Sequence, residues 1–246
     1  MPTIAGILLA IPFFLVALLY SSVGHAGASA YLGVMALSGA PPSITKPTAL
    51  ALNIVVASIA SCKFYRARCF SWPLFWPFAA TSIPLAFLGG AITLPGSVYK
   101  VAVGLVLMLS AIRLVLPSNR PGLRSPSRPR LWLALLIGAG IGFLSGLIGV
   151  GGGIFLSPLL ILAGWSDART ASGVAAPFIL ANSIAGLLGA PSSLASIPSG
   201  LPVWVAAVVV GGWMGADWGS KRLGNDWIRR LLAVVLIAAG LKLVLV

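Results

Sequence analysis

A single histidine, His25, stands inside the glycine cluster VGHAGAS (Val23 to Ser29), and a second cluster, IGVGGGI (Ile148 to Ile154), follows much later in the chain. Glycines packed this densely let a helical backbone open and expose its N–H groups. Each cluster leads into a short apolar run, residues 28 to 40 and 154 to 164, and each run gives less than about 20 Å of helix at about 1.5 Å per residue. Neither run crosses a hydrocarbon core of about 30 Å alone. The free N–H groups at the start of such a half-helix, reinforced by its dipole, suit an anion without a buried charged side chain. The expected binding groups are therefore Gly24, His25, Gly27 and Ser29 in the first cluster, and Gly149, Gly151, Gly152 and Gly153 in the second. His25 could donate a hydrogen bond to a substrate or carry a coupling proton; the position matching it in the second cluster is Val150. The alternative is a hydrogen-bonded structural histidine. Asn53, Ser58, Asn182 and Ser183 are the polar residues set deepest in apolar sequence, and they are expected to bond the opened backbone or shape the pocket. Lys46, at the start of an apolar run, is expected to snorkel outward.

What the chain lacks narrows the chemistry further. Its only acids are Asp167, Asp217 and Asp226, all near the ends of apolar runs. They cannot supply a carboxylate pair for acid–base work or an oxygen-rich cation cage, and the sole histidine has no acid near it in sequence. Asp217, four residues before Lys221, reads as a helix-end ion pair. Cys62 and Cys69 flank a basic break and have no metal-ligand spacing. The expectation is a protein that is not an enzyme and carries no metal or cofactor.

The elements that must hold these residues are membrane segments. With 59% of its 246 residues hydrophobic, 8% charged and a mean hydropathy of +1.07, the chain is expected to lie mostly in lipid. Apolar runs fall near residues 3 to 22, 27 to 40, 46 to 62, 72 to 93 and 97 to 116, then 131 to 148, 154 to 164, 170 to 189, 201 to 220 and 227 to 246. The first has no basic stretch ahead of it, so it reads as a retained span rather than a cleaved leader. Between the two sets lies PSNRPGLRSPSRPR, residues 117 to 130, a polar connector. The second set repeats the first. Gly24, Gly27, Leu37, Gly39, Thr45 and Ser58 correspond to Gly149, Gly152, Leu162, Gly164, Thr170 and Ser183, and beyond an insertion Pro73 corresponds to Pro202 and Leu94 to Leu223.

Charge gives the orientation. The net charge of +13 would suggest nucleic acid in a soluble protein, but these bases occupy short breaks between apolar runs, as topology signals do, so no nucleic-acid partner is implied. Lys63, Arg66 and Arg68 follow the third run of the first half, whereas the matching break, residues 190 to 200, has no base. The halves are therefore expected to face opposite ways. The linker and the cluster Lys221, Arg222, Arg229 and Arg230 fall inside, and both termini fall outside. The expected fold is an all-α polytopic membrane protein with two inverted repeats of about five segments, residues 1–116 and 131–246, joined by the cytoplasmic linker 117–130.

The second-half stretch GLIGVGGGIFLSPLLILAGWSDARTASGVAAPFILANSIAG, from Gly146 to Gly186, resembles a signature of the TauE/SafE sulfite exporter family. The first-half stretches VGHAGASAYLGVMALSG and KPTALALNIVVASIASCKFYRAR are similar to that family's other signature. The resemblance implies a secondary transporter of the cytoplasmic (inner) membrane that exports sulfite, an organosulfonate or a related sulfur oxyanion, driven by an ion gradient. The proton is the candidate coupling ion, and a second copy of the chain is a candidate partner. Two other functions fit the same composition: a passive anion channel, and a membrane partner subunit that does not itself transport.

Overall fold

The computed structural model describes residues 9–38, 40, 42–92, 129–190, 198, 200–224, 226–228, 230–231, 233–234 and 237. Among these the fold is all-helical: α1 (Ala10–Ser22), α2 (Ala28–Leu37), α3 (Pro42–Arg66), α4 (Trp72–Ala91), α5 (Leu131–Ile148), α6 (Gly153–Leu162), α7 (Ala168–Leu188) and α8 (Leu201–Lys221). Five of them, α3, α4, α5, α7 and α8, are long and apolar enough to span a bilayer. The expected segments at 97 to 116, most of 227 to 246 and nearly all of the linker 117–130 lie outside the described residues. Helix α3 is longer at both ends than the apolar run 46 to 62, because Pro42 suits a first turn and the polar last turn carries Lys63 and Arg66. Outward faces are apolar, with Leu136 and Ile11 both more than half exposed, as suits contact with lipid rather than water.

Without a hydrophobic drive between helices in lipid, close backbone approach must hold the bundle together. Two glycine ladders provide it. On α5, a Cβ at Gly138, Gly142 or Gly146 would run into the backbone carbonyl of Phe78, Ser82 or Ala86 on α4. On α8, Gly211, Gly215 and Gly219 stand in the same relation to Phe14, Leu18 and Ser22 around α1. Both registers advance together, so α4 runs parallel to α5, and α1 to α8. In contrast, α3 and α7 are antiparallel, since Asn53 meets Ser183 while Cys69, just past the end of α3, meets Gly173 near the start of α7. Parallel contacts also join α3 to α8, through Val56 with Gly212 and Lys63 with Asp217, and α4 to α7, through Ser82 with Asn182 and Phe87 with Gly189. Exchanging the two halves leaves this pattern of neighbours unchanged.

Polar contacts finish the ends. Asp167 caps α7, its carboxylate accepting from the Thr170 N–H at 2.6 Å. Asp217 pairs with Lys221, as its spacing suggests, and also with Lys63 at 2.6 Å, whose ammonium lies 3.7 Å over the Trp213 ring. The Arg169 guanidinium donates to the Ser220 carbonyl beside them. Lys46 does not snorkel outward. Its ammonium donates to the Gly90 carbonyl at 3.1 Å, satisfying a C-terminal acceptor of α4 that the helix itself leaves open.

Candidate anion site at two helix breaks

Both glycine clusters are breaks between helices. Gly24 and Gly27 in the first, and Gly149, Gly151 and Gly152 in the second, take φ between +73° and +97°, where a side chain is strained. At Gly151 space is as restrictive as conformation: a Cβ would come within 3 Å of Ile179, of the Ser183 hydroxyl and of the Asn53 amide. The break must be glycine for both reasons.

Asn53 holds the two breaks together. It is fully buried on α3; its Oδ1 accepts from the Ala28 N–H at 3.0 Å, and its Nδ2 donates to the Val150 carbonyl and the Ser183 hydroxyl, each at 3.3 Å. One side chain thus caps α2, takes up a carbonyl of the opposite break and bonds the antiparallel helix. Asn182 is not its structural counterpart. It lies a turn beyond the second break and faces α4, with Oδ1 accepting from the Ser82 hydroxyl at 2.7 Å and Nδ2 donating to the Phe178 carbonyl at 2.8 Å. Ser183 joins the cluster through Asn53. Ser58 does not: it is exposed, and its hydroxyl donates back to the Ile54 carbonyl.

His25 is buried, with Nδ1 3.0 Å from the Val23 carbonyl. A carbonyl only accepts, so Nδ1 carries the proton, and in the neutral ring Nε2 is an acceptor. That Nε2 makes no hydrogen bond among the described residues. Ser29 is bonded to the Tyr20 hydroxyl at 3.3 Å. His25, Tyr20 and residues 26 to 29 line a small cavity with Val150, Ile154 and Ile179 from the other half, with room for about one water molecule. Tyr20 was not singled out from the sequence; the signal was a lone hydroxyl-bearing aromatic one turn before the first cluster.

The breaks leave backbone donors open. Among the described residues no hydrogen bond is made by the N–H groups of Ala26 and Gly27 at the first break, nor by those of Gly151, Gly152, Gly153 and Ile154 at the second. All six residues are buried. A buried donor without a partner costs about 1 to 3 kcal/mol, so these groups need water or an anion. No group of histidine, cysteine, aspartate and glutamate that could hold a metal ion occurs among the described residues.

Helices apolar enough to span a bilayer, with the chain interrupted at two glycine breaks, are an arrangement found in many membrane transporters. The model of the family described as Sulfite exporter TauE/SafE matches residues 9–243, and the chain belongs to that family. It is 44% identical over 238 residues, 96% of each chain, to the protein of Sinorhizobium fredii (strain NBRC 101917 / NGR234) named "Probable membrane transporter protein y4hK". No solved structure matches the chain. Membership puts the chain among membrane transporters.

Proposed function

We propose that this transporter exports a small anion, a sulfite, organosulfonate or related sulfur oxyanion, across the cytoplasmic membrane by alternating access between two inverted repeats. The observation that carries the reading is the set of buried, unpartnered N–H groups gathered at two helix breaks, an arrangement that stabilises negative charge without a fixed positive side chain. The inverted relation is supported by helix direction: α3 and α7, the third members of the two halves, are antiparallel, and each half's first helix runs parallel to the other half's fourth. With Lys63 inside, the linker 117–130 is cytoplasmic and both termini are outside.

In this mechanism the anion enters the cavity between the breaks, whose small size corresponds to a closed state. His25 supplies the coupling. Its Nε2 lone pair takes a proton when the anion arrives, turning an unfavourable acceptor into a cationic donor, so proton binding and anion binding are linked. Purified protein in liposomes tests the reading: sulfite flux should follow an imposed pH gradient and proceed against a sulfite gradient. Flux that never exceeds its own electrochemical gradient would identify a channel, and no flux of any sulfur oxyanion would remove the proposed cargo.

A further inference from the structure

The two breaks are built alike but finished differently. At both, two N–H groups return to the last glycine carbonyl, those of Ala30 and Tyr31 to Gly27 and those of Phe155 and Leu156 to Gly152; at the first the Ala28 N–H is also taken by Asn53, leaving only those of Ala26 and Gly27 open among the described residues. At the second, the position matching Ala28 is Gly153, and the position matching Asn53 is Phe178, each 125 residues on. Phe178 has no acceptor to offer; its ring lies over Gly152, 3.0 Å from where a Cβ would stand. Helix α6 begins at Gly153 with no side-chain cap, and the N–H groups of Gly151, Gly152, Gly153 and Ile154 stay open. A second group points to the same place: His25, 2% exposed, holds an unpartnered Nε2 and lines one cavity with Val150 and Ile154.

We propose that the anion is received at the amino end of α6 alone, with His25 reaching it from the first half, and that the pair Asn53 and Phe178 sets this preference by capping one half-helix and leaving the other open. The proposal rests on the anion-transport reading above and adds to it that the two breaks have different tasks. The first break, whose half-helix Asn53 caps, is the hinge, and the second, whose half-helix has no cap, is the receptor. Asn53 and Phe178 are positioning residues. Neither needs to touch the anion.

The test uses full-length protein labelled with 15N-glycine in nanodiscs and titrated with sulfite, sulfate and chloride, beside sulfite flux in liposomes. The amide signals of Gly151, Gly152 and Gly153 should move with sulfite while that of Gly27 stays in place. Phe178→Asn, which offers α6 the cap that Asn53 gives α2, should weaken sulfite binding tenfold or more. If that variant does not fold, the wild-type titration decides alone. Flux accompanied by an equal shift at Gly27, or by no shift at α6, overturns the inference and leaves the transport reading standing. Another anion moving the α6 amides without sulfite flux keeps the inference and replaces the cargo. Neither flux nor any amide shift removes both.

Discussion

The break at residues 23 to 27 and the break at 149 to 152 share glycines, positive φ, open N–H groups and a short helix to follow, yet one of those helices has a side-chain cap and the other has none. Asn53 makes the difference, since a single carboxamide takes an N–H from its own half, a carbonyl from the other and a hydroxyl from the crossing helix. A recurring arrangement of helices thus leaves room for divergent chemistry at matched positions. Interrupted helices give a transporter two openings in principle, and side-chain capping changes how many donors each of them leaves free.

The largest effect should come from filling the uncapped break. Gly151→Leu puts a side chain at φ +81° into Ile179, Ser183 and Asn53, and flux in liposomes should fall by about a hundredfold or more in protein that still inserts. Undiminished flux would take the substrate away from this break. Next is the cap itself: Asn53→Leu strands three partners and should lower stability by about 2 to 4 kcal/mol, read as an earlier thermal transition in detergent. Asn182→Leu, which loses bonds to Ser82 and Phe178 only, should cost about half of that. Equal losses for the two would erase the contrast between the breaks.

His25→Gln sharpens the comparison through pH. Protonation of Nε2 below the ring's pKa adds a positive charge, so wild-type flux should rise as pH falls, whereas the glutamine variant should be roughly tenfold slower and flat across the same range. A variant with wild-type rate and wild-type pH dependence would make His25 structural. Ser58→Ala should be the smallest change, within about 0.5 kcal/mol of stability and with unaltered flux, because the hydroxyl faces outward and bonds only its own helix.

Much of this was legible in the sequence because lipid imposes simple rules. Run length marked the two half-helices, and glycine density marked where the backbone opens; Ala28–Leu37 and Gly153–Leu162 fall where those signals put them. Side-chain direction was harder. Five residues along a helix rotate a position by about 140°, so Ser58 cannot share a face with Asn53, and its pairing with Ser183 by repeat alone misplaced it. Neighbouring Asn182 and Ser183 diverge for the same reason, one toward α4 and the other toward α3. Lys46 was expected to reach outward, but the open carbonyl of Gly90 offers a nearer acceptor. The bond from Lys63 to Asp217 joins residues 154 positions apart, and no local pattern announces it.

The glycine ladders carry one more consequence. All six of those small residues come from the second half, and their equivalents in the first are Phe13, Ala17, Ser21, Ser82, Ala86 and Gly90. Two copies of the first half could not nest against each other, since a benzyl group would sit where α5 has only hydrogen. The two halves are complementary along these seams, one bearing the glycine rows and the other the carbonyl rows they pack against. Making either half self-complementary along these seams would require rewriting an entire helix surface.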